Sequence, residues 1–568
     1  MGFIKTIAQG GQTWAHRVRM ARQVFIIALW VSLTIAIVVT AYHGSKLPKR
    51  TYIGAYYHCK AHLLGQLDHK ISVRNDYWHN QISSSSTKKW SYVEKHLLIR
   101  HTRSHYSQFV SHLINSTQKG IFSFLWVFTI CNLFFFIRGQ LSKRMQHLSG
   151  NKLCNPRYLA TKMQLARQAS PIHVGPLPLV KGTESQHIMI SGGTGSGKTN
   201  CLHHVLPQIR KLHQKAVIVD TTGEFVSRYY NQDKDKLLNP FDQRHQEWHP
   251  WCECQDRFDF DAMAQSFIPQ SICEKENYWR TAARSVLGSM LELQKHEKLI
   301  SETSRLLLYE PLKTLCQSLQ GTKAASHLDL SSEKTAGSIR SVMTSYLECL
   351  SYLDDTPSPF SIRDWVQDPQ ESGWLFITST LAQRAALIPL VSTWFSIAMR
   401  SLLQMSIDPS RRLWFIVDEL PSLQRLKDLE TCLTESRKFG GAALLALQSP
   451  AQLDSIYGHD TTKIILGNCM TKIAFCEQDP QIAEKISQFF GKKDIREYQE
   501  GISYGAHKMR DGVSFSTQQR TKPVISPTDI QSIKKNQAYI RLPNQGIATK
   551  IKLKYKKPQK IAEPFIKK

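Results

Sequence analysis

A glycine-rich stretch in the first half of the chain has the residue types that bind phosphate groups. It reads "GGTGSGKT" and fits the pattern G-x-x-x-x-G-K-S/T without a mismatch. Its residues are Gly192, Gly193, Thr194, Gly195, Ser196, Gly197, Lys198 and Thr199. In such a loop, backbone N–H groups curl around the phosphates, a lysine reaches the β and γ oxygens, and a hydroxyl holds Mg²⁺. We therefore predict a site for ATP, with Lys198 on its phosphates and Thr199 as a ligand of Mg²⁺.

Two adjacent carboxylates, Asp418 and Glu419, are the second group of residues able to do chemistry. They follow the apolar run "LWFIV", which is typical of a buried central strand. One carboxylate at such a strand end can hold Mg²⁺ through its water shell, and the next can polarise an attacking water. The pattern assigns the first role to Asp418 and the second to Glu419. Short apolar runs that end in acids are common, so this assignment depends on the phosphate loop.

A third carboxylate, Asp220, ends the apolar run "AVIVD". The carboxyl end of a strand in an open α/β sheet is the usual place for ligand groups. Asp220 also precedes the residues "TTGEF", where an aspartate can cap a turn by accepting backbone hydrogen bonds. The sequence leaves two interpretations open: Asp220 is a ligand group of the nucleotide site, or it caps the turn.

The stretch "RKFGGAALLALQS" places a cation before another apolar run and an amide at the end of that run. In ring-shaped motors, an arginine of one subunit reaches the γ-phosphate bound by its neighbour, and a polar residue at a strand end senses that phosphate. Arg437 and Gln448 are the candidates for these two roles. An ordinary surface cation is the other interpretation of Arg437.

A sheet whose strands end at one edge must position these groups. Strand-like runs cover residues 187–190, 216–220 and 442–447, and the residues after the phosphate loop have helical spacing. Asp418 follows Lys198 by 220 positions, which is more than a compact P-loop domain needs between these strands. Residues 258–352 lack strand-like runs and show helical patterns. We predict an α/β P-loop ATPase domain with an inserted all-α subdomain.

Two uncharged apolar runs, residues 24–42 and 121–137, precede this domain. A helix of nineteen residues is about 28 Å long, close to the thickness of a hydrocarbon core of about 30 Å. A cleaved signal peptide is the alternative for the first run, but the run is too long and no A-x-A site follows it. A buried core helix is the alternative for the second. We predict that both runs are transmembrane helices.

The topology of these spans follows from the place of the nucleotide site. Residues 1–23 carry four basic and no acidic side chains, whereas the loop 43–120 carries twelve basic and three acidic ones. The charge rule for orientation loses force for loops longer than about 60 residues. A nucleotide site after the second span needs cytoplasmic ATP, so we place both termini in the cytoplasm and residues 43–120 outside it.

The chain is strongly basic. Lys and Arg outnumber Asp and Glu by 73 to 45, which gives a net charge of +28, and residues 138–568 account for +15 of it. Such a surface attracts phosphate backbones without reading sequence, or anionic lipid. A basic solvated surface that only aids solubility is the alternative. We see no recognition helix or zinc finger, so we do not expect sequence-specific binding of nucleic acid.

The order of several segments resembles the TraD/TrwB family of type IV secretion coupling proteins. The resemblance is carried by "HIMISGGTGSGKT", "AVIVDTTGEF", "LLNPFDQRHQEWHPW", "EKTAGSIRSVMTSYL", "LWFIVDELPSL" and "ESRKFGGAALLALQSPAQL", behind two N-terminal spans. It extends to "QAYIRLPNQGIATKIKLKY" near the end of the chain. The phosphate loop and acid pair would fit many ATPases, but the "NPFDQR", "SIRS" and "RKFGG" segments are far more particular.

The resemblance implies a RecA-like ATPase that forms a homo-hexameric ring at the bacterial inner membrane. Such a ring recruits a relaxase–DNA complex with its relaxosome proteins and passes single-stranded DNA into the type IV secretion channel during conjugation. The matching positions are Lys198 and Thr199 of the P-loop, Asp418 and Glu419 of the acid pair, Arg437 as the arginine finger acting across subunits, and Gln448 as the phosphate sensor. Some relatives grip a relaxosome protein with a long C-terminal tail; here the chain ends in a basic "KYKKPQKIAEPFIKK", so such docking is not expected.

Together these interpretations predict seven segments and two alternative functions. The segments are a cytoplasmic tail (1–23), a first transmembrane helix (24–42), a small periplasmic domain (43–120), a second transmembrane helix (121–137), the first part of the nucleotide-binding domain (138–257), the all-α insertion (258–352) and the second part of the nucleotide-binding domain (353–568). The alternatives are a receptor that hands protein effectors to a secretion channel, and a membrane-anchored pump for double-stranded DNA.

Overall fold

The structure, a computed structural model, describes residues 2–64, 70–74, 90–142, 146–328, 333–503 and 512–568. The chain divides into two compact units. The first comprises Met1–Gln146 and Glu497–Gln518, and the second comprises His147–Arg496 and Gln519–Lys568. Two parts of the predicted periplasmic domain, 65–69 and 75–89, and Met1 of the predicted tail lie outside the described residues.

The first unit is built on two long helices. Its elements are the helices α1 (Gly2–Gly44), α2 (Lys49–Leu64) and α3 (Lys95–Ser142) and the antiparallel strands β1 (Lys70–Arg74) and β2 (Trp90–Glu94). Helices α1 and α3 pack side by side. A Cβ atom on Gly120 of α3 would lie 2.1 Å from Thr40 Oγ1 of α1, so glycine permits this close approach. Phe25 and Phe128 meet edge to face at 5.3 Å elsewhere along the pair.

The predicted spans 24–42 and 121–137 lie within α1 and α3. Most large apolar side chains of these segments are exposed, including Ile27, Val38, Phe122 and Phe136. An apolar surface of this extent is unusual on a soluble protein and suits contact with lipid. Within the described residues, one further helix, Arg384–Leu403, is long and apolar enough to cross a membrane, but it is largely buried in the core of the second unit.

The second unit contains a ten-stranded mixed sheet. In spatial order its strands are β4 (Lys152–Cys154), β17 (Ile547–Lys552), β16 (Gln537–Arg541), β13 (Thr471–Ala474), β7 (Ile188–Ser191), β12 (Gly441–Leu447), β11 (Leu413–Val417), β8 (Lys215–Asp220), β10 (Trp374–Thr378) and β9 (Lys236–Leu238). The seven strands from β13 to β9 are parallel. Outside this sheet and the first unit's β1 and β2, the strands among the described residues are β3 (Gln146–Gly150), β5 (Ala169–Val174), β6 (Leu177–Val180), β14 (Lys492–Ser503) and β15 (Gly512–Pro523).

Helices cover both faces of this sheet. In chain order they are α4 (Pro156–Leu165), α5 (Lys198–Lys211), α6 (Glu224–Tyr229), α7 (Arg257–Phe267), α8 (Glu274–Leu293), α9 (Ile300–Ser304), α10 (Leu312–Ser318), α11 (Glu333–Leu347), α12 (Ile362–Gln367), α13 (Arg384–Leu403), α14 (Lys427–Glu435), α15 (Pro450–Tyr457), α16 (His459–Asn468), α17 (Pro480–Phe489) and α18 (Pro527–Gln531). Short 3₁₀ or π turns link several of them.

The sheet divides the apolar core into two layers. Along β8, Ala216 and Ile218 face one layer and Val217 and Val219 face the other, as the two-residue repeat of a strand requires. The first layer holds α5 and the hairpin of β5 and β6, and the second holds α7, α8, α11 and α13. A strand buried on both faces is apolar throughout, which is why the runs read from the sequence lack alternation.

The chain between β9 and β10 is helical. After an irregular stretch, its described residues form α7 to α12 with short 3₁₀ and π turns between them, and none of the described residues between β9 and β10 lies in a strand of the sheet. The buried side chains of these helices belong to the same apolar layer as Val217 and Phe415 of the sheet. The helical segment therefore shares its core with the nucleotide-binding sheet.

A buried histidine ties the strand that leads to the phosphate loop to its neighbours. His187 Nε2 donates to the backbone oxygen of Leu433 at 2.9 Å, and Ala443 N donates to His187 Nδ1 at 3.1 Å. An N–H that donates to Nδ1 requires this nitrogen to be unprotonated, so the geometry suits only the neutral ring. Burial lowers the pKa of His187 from 6.5 to about 4, against the opposing effect of the bond to Leu433.

Acid is expected to destabilise the second unit through His187. Because its pKa is lowered on folding, the unfolded chain takes up the proton first; the stability is complete above about pH 6.5 and is lost as the pH falls towards about 4. The loss between pH 7 and pH 5 should be on the order of 2 kcal/mol. Thermal unfolding of His187→Gln, whose amide does not titrate, should depend less on pH than that of the unaltered protein.

The control is His296→Gln, because His296 is exposed. Its pH profile should match that of the unaltered chain. Burial also lowers the pKa of His245 to about 4, so the comparison rests on the difference between variants and not on the total acid effect. Identical profiles for His187→Gln and the unaltered protein would contradict the prediction.

Candidate nucleotide site

The phosphate loop and the acid pair lie at the carboxyl edge of the sheet. The last residue of β7, Ser191, pairs with Leu447 at the end of β12 and with Ala474 on its other side. The last residue of β11, Val417, pairs with Leu445 of β12 and Val219 of β8. Side chains that follow four neighbouring strands therefore meet at one edge, as is usual for ligand sites of open parallel sheets.

The backbone of the loop requires glycine at specific positions. Gly192 and Gly197 have φ angles of 149° and 121°, which L side chains rarely adopt. A Cβ atom on Gly192 would lie 2.6 Å from Phe475 Cβ, and one on Gly197 would lie 2.8 Å from Asn536 Oδ1. The loop therefore curls against two later segments of the chain in a conformation that excludes larger residues.

Hydrogen bonds hold the loop from both sides. Gly193 N donates to Cys476 O at 2.8 Å, and Asn536 N donates to Ser196 O at 3.0 Å. Helix α5 then begins at Lys198, and no side chain of the described residues caps its start. The first N–H groups of α5 remain open to an anion, and the helix dipole favours negative charge at this end.

Lys198 is buried inside the curl of the loop, with 9% of its surface exposed. Its Nζ donates to Gly192 O at 2.7 Å and to Gly193 O at 3.2 Å. Burial lowers the pKa of Lys198, whereas the charges of Glu419 and Asp418 oppose this shift. The ammonium group is therefore fixed between the loop and the acid pair.

Thr199 joins the loop to the acid pair. Its Oγ1 donates to Asp418 Oδ2 at 3.2 Å. Burial raises the pKa of Asp418 to about 6, against the bond from Thr199 and the charge of Lys198. Asp418 Oδ1 is buried and has no hydrogen-bond partner among the described residues. A hydroxyl and a carboxylate with a free oxygen form the donor set that Mg²⁺ prefers.

Glu419 and Gln448 lie next to each other, beside Thr199 and Asp418. Glu419 Oε1 is buried and, within the described chain, lacks a hydrogen-bond partner. Burial raises the pKa of Glu419, and Lys198 and hydrogen bonding by Gln448 oppose the shift. The Oε1 atom of Gln448 accepts a long bond of 3.5 Å from Thr194 Oγ1 in the loop. Gln448 thus connects the phosphate loop to Glu419.

The structure decides between the two interpretations of Asp220. Its carboxylate accepts hydrogen bonds from the backbone N–H groups of Thr222, Phe225 and Val226 at 2.7–3.1 Å. Burial raises its pKa, and these bonds oppose the shift. Asp220 therefore caps the turn and the short helix α6, and this use of both oxygens disfavours a direct role at the site.

The loop, the acid pair and Gln448 line one cleft of about 440 Å³. Sequence reasoning missed several of its residues, namely Asn200, Thr221, Thr222, Arg384, Lys535, Asn536 and Tyr555. Arg384 donates to Thr221 Oγ1 at 2.7 Å, and its charge lowers the pKa of Glu419. The "TTGEF" turn after β8 could have indicated that Thr221 and Thr222 lie at the site. No local sequence motif indicates this for Arg384.

Arg437 does not line this cleft. It lies in the turn Ser436–Phe439, just before β12, and its side chain is exposed. In the described part of the chain its guanidinium has no ion-pair or hydrogen-bond partner. Within one subunit, then, Arg437 is separate from Lys198, Thr199, Asp418 and Glu419.

The sequence profile described as the DNA-binding domain of the type IV secretion-system coupling protein matches residues 171–554. The chain belongs to the TraD/TrwB family of type IV secretion coupling proteins. Coupling protein TraD of Escherichia coli K12 is 35% identical over 453 residues, which are 77% of this chain and 63% of TraD. The chain thus spans less than two thirds of the length of TraD.

Solved structures of the coupling protein TrwB share the fold of this coupling protein. TrwB in complex with ADP and Mg²⁺ is 25% identical with a TM-score of 0.67, over 75% of this chain and 98% of TrwB. TrwB in complex with a non-hydrolysable GTP analogue is 26% identical with a TM-score of 0.67, over the same shares. This chain therefore has the RecA-like P-loop ATPase fold with a mixed sheet.

Proposed function

We propose that this coupling protein binds and hydrolyses ATP with Mg²⁺ in the cleft at the carboxyl edge of the sheet. The observation that carries the proposal is the bond from Thr199 to Asp418, which joins the phosphate loop to the acid pair beside Lys198. The free oxygens of Asp418 and Glu419 suit a hydrated cation and an attacking water. TrwB has been solved with ADP and Mg²⁺, which supports the same ligands here.

The phosphate loop, the acid pair and Gln448 have separate parts in this hydrolysis. The loop N–H groups and Lys198 hold the phosphates and stabilise the charge that develops on them. Thr199 and Asp418 hold Mg²⁺, which neutralises the charge on the β and γ oxygens when bound. Glu419 orients and polarises the attacking water. Gln448, which contacts both Thr194 and Glu419, senses the γ-phosphate.

The site is completed by a second copy of the chain in a homo-hexameric ring. Arg437 is exposed, unpartnered within the described chain and outside its own cleft, which suits an arginine that enters the site of a neighbour. There its guanidinium stabilises the charge on the transferred phosphoryl group.

The load moved by this ring is single-stranded DNA. The family profile that matches the chain describes a DNA-binding domain, and residues 138–568 carry a net charge of +15. A basic pore binds phosphate backbones without reading sequence. In this proposal the coupling protein recruits a relaxase and its relaxosome proteins and drives the bound strand into the type IV secretion channel during conjugation.

The ring is anchored in the bacterial inner membrane by the spans 24–42 and 121–137, with both termini in the cytoplasm. Residues 43–120 form the small periplasmic domain. The exposed apolar side chains of α1 and α3 support this placement. Residues 258–352 form an inserted all-α region between the two parts of the nucleotide-binding domain, 138–257 and 353–568; the helices α7 to α11 support its all-α character, and its apolar core is shared with the sheet.

Single-stranded DNA is expected to stimulate ATP turnover by the full-length protein in lipid nanodiscs. Stimulation should be similar for unrelated sequences and should weaken as salt rises, since phosphate contacts release counterions. Phosphate release is measured with single-stranded DNA, with double-stranded DNA and without DNA. Turnover that is indifferent to DNA across a range of salt would contradict the proposal and favour a receptor for protein effectors. Stimulation by double-stranded DNA alone would favour a pump for duplex DNA.

A further inference from the structure

The segment that follows β17 crosses the start of the phosphate-loop helix. Asn200, the residue after Thr199, binds this segment through both the nitrogen and the oxygen of its side-chain amide. Its Nδ2 donates to Lys554 O at 3.2 Å, and its Oδ1 accepts from Lys556 N at 2.9 Å. The backbone on both sides of Tyr555 is therefore tied to the helix that binds phosphate.

Two further bonds fix the same segment. His204, one turn along α5, lies with its Nε2 2.8 Å from Lys554 O. Leu553 N donates to Asn536 O at 2.8 Å, and Asn536 itself packs against the phosphate loop. The position of Tyr555 relative to the loop is thus set by several partly buried hydrogen bonds.

The Tyr555 side chain is exposed, although the backbone around it is held by these hydrogen bonds. It lines the nucleotide cleft, yet 69% of its surface is exposed. Its hydroxyl has no hydrogen-bond partner among the described residues. Tyr555 is also the one aromatic ring among the described residues that line the cleft. A flat apolar face held at a fixed place in an otherwise polar cleft is suited to a flat apolar ligand group.

We propose that Tyr555 is the stacking platform for the purine base of the bound nucleotide; this rests on the proposed function of the cleft. Lys198 and Thr199 take the phosphates, and Asn200, the next residue, positions the ring for the base. Stacking uses the face of the base and not its edge, so adenine and guanine should be held alike. Crystals of TrwB with ADP and with a GTP analogue show that a relative accepts both purines.

The proposal is tested by comparing nucleotides with a ligand that has no base. Full-length unaltered protein, Tyr555→Ala and Tyr555→Phe are titrated with ATP, GTP and inorganic triphosphate in the presence of Mg²⁺. Tyr555→Ala should weaken binding of ATP and GTP by about 5- to 150-fold, the range of one aromatic–base stack. Its affinity for inorganic triphosphate should be unchanged, and Tyr555→Phe should bind all three like the unaltered protein.

Tyr158→Ala is the matched control, because Tyr158 is 63% exposed and does not line the cleft. It should bind all three ligands normally. An equal loss of inorganic triphosphate and ATP in Tyr555→Ala would overturn the proposal, since the ring would then only support the phosphate loop. Unchanged binding of ATP would overturn it as well. Failure of the unaltered chain to bind either ATP or triphosphate would instead contradict the proposed function.

Discussion

Lys198→Ala is expected to lower ATP turnover by at least about a thousandfold, the upper range for removal of one preorganised group that stabilises transition-state charge. The Nζ of Lys198 is held within 3.2 Å of two loop carbonyls, where the charges of Asp418 and Glu419 also act on it. Alanine leaves the loop backbone in place but removes the cation that follows the γ-phosphate through the reaction. Phosphate release by the full-length protein in nanodiscs measures the effect.

Lys211→Ala is the control, since Lys211 is an exposed lysine in the last turn of the same helix. It should keep normal turnover. Thermal unfolding of both variants is measured alongside, so that a loss of turnover is separated from a loss of folded protein. Turnover by Lys198→Ala within about tenfold of the unaltered protein would mean that the loop does not hold the reacting phosphates.

Arg437→Ala is expected to separate binding from hydrolysis. Because Arg437 lies outside the cleft of its own subunit, the variant should bind ATP with unchanged affinity. Its turnover in the assembled ring should nevertheless fall by about a thousandfold or more, which is the effect of an arginine finger in related phosphoryl transfer. Equilibrium titration with ATP and phosphate release at the same protein concentration measure the two quantities.

The neighbouring cation provides the control for this prediction. Lys438 is exposed in the same turn, so Lys438→Ala removes one positive charge from the same surface. It should retain turnover, because a specific guanidinium and not the local charge is required. Normal hydrolysis by Arg437→Ala at high protein concentration would show that Arg437 is an ordinary surface cation.

The parts of the site that the sequence predicts are those encoded by local patterns. The loop needs glycine at positions of unusual φ and is followed at once by its helix, so Gly192 to Thr199 form a contiguous signal. Asp418 and Gln448 each follow a fully buried apolar strand. Because parallel strands place their carboxyl ends at one edge, local patterns were enough to predict that these groups meet.

Other residues reach the cleft only through tertiary structure. Arg384 starts a helix after β10, and Asn536 and Tyr555 come from the antiparallel extension of the sheet near the end of the chain. Nothing in their types or spacing relates them to the phosphate loop more than 180 residues earlier. Asp220 lies between these two cases. The sequence predicts its position at the end of a strand, but its role as a turn cap is seen only from the three backbone N–H groups that donate to it.

Hydropathy predicts two spans, but the helices that contain these apolar runs are longer than the runs themselves. Helix α1 runs through residues Gly2–Gly44 and α3 through Lys95–Ser142, well beyond the apolar segments 24–42 and 121–137. An apolar run reports where side chains avoid water, whereas the helix continues wherever the backbone can close its hydrogen bonds. The same reasoning explains why the apolar helix Arg384–Leu403 lies in the protein core.

A mixing experiment tests most directly that ATP is hydrolysed at sites shared between subunits of a DNA-stimulated ring. Lys198→Ala retains Arg437, and Arg437→Ala retains the complete phosphate loop. Co-assembly at equal amounts in nanodiscs places an intact loop opposite an intact arginine at about a quarter of the subunit boundaries. We predict that each variant alone is inactive and that the mixture recovers about a quarter of the turnover seen with single-stranded DNA. Inactive mixtures in which both variants are present in the same ring would contradict the account.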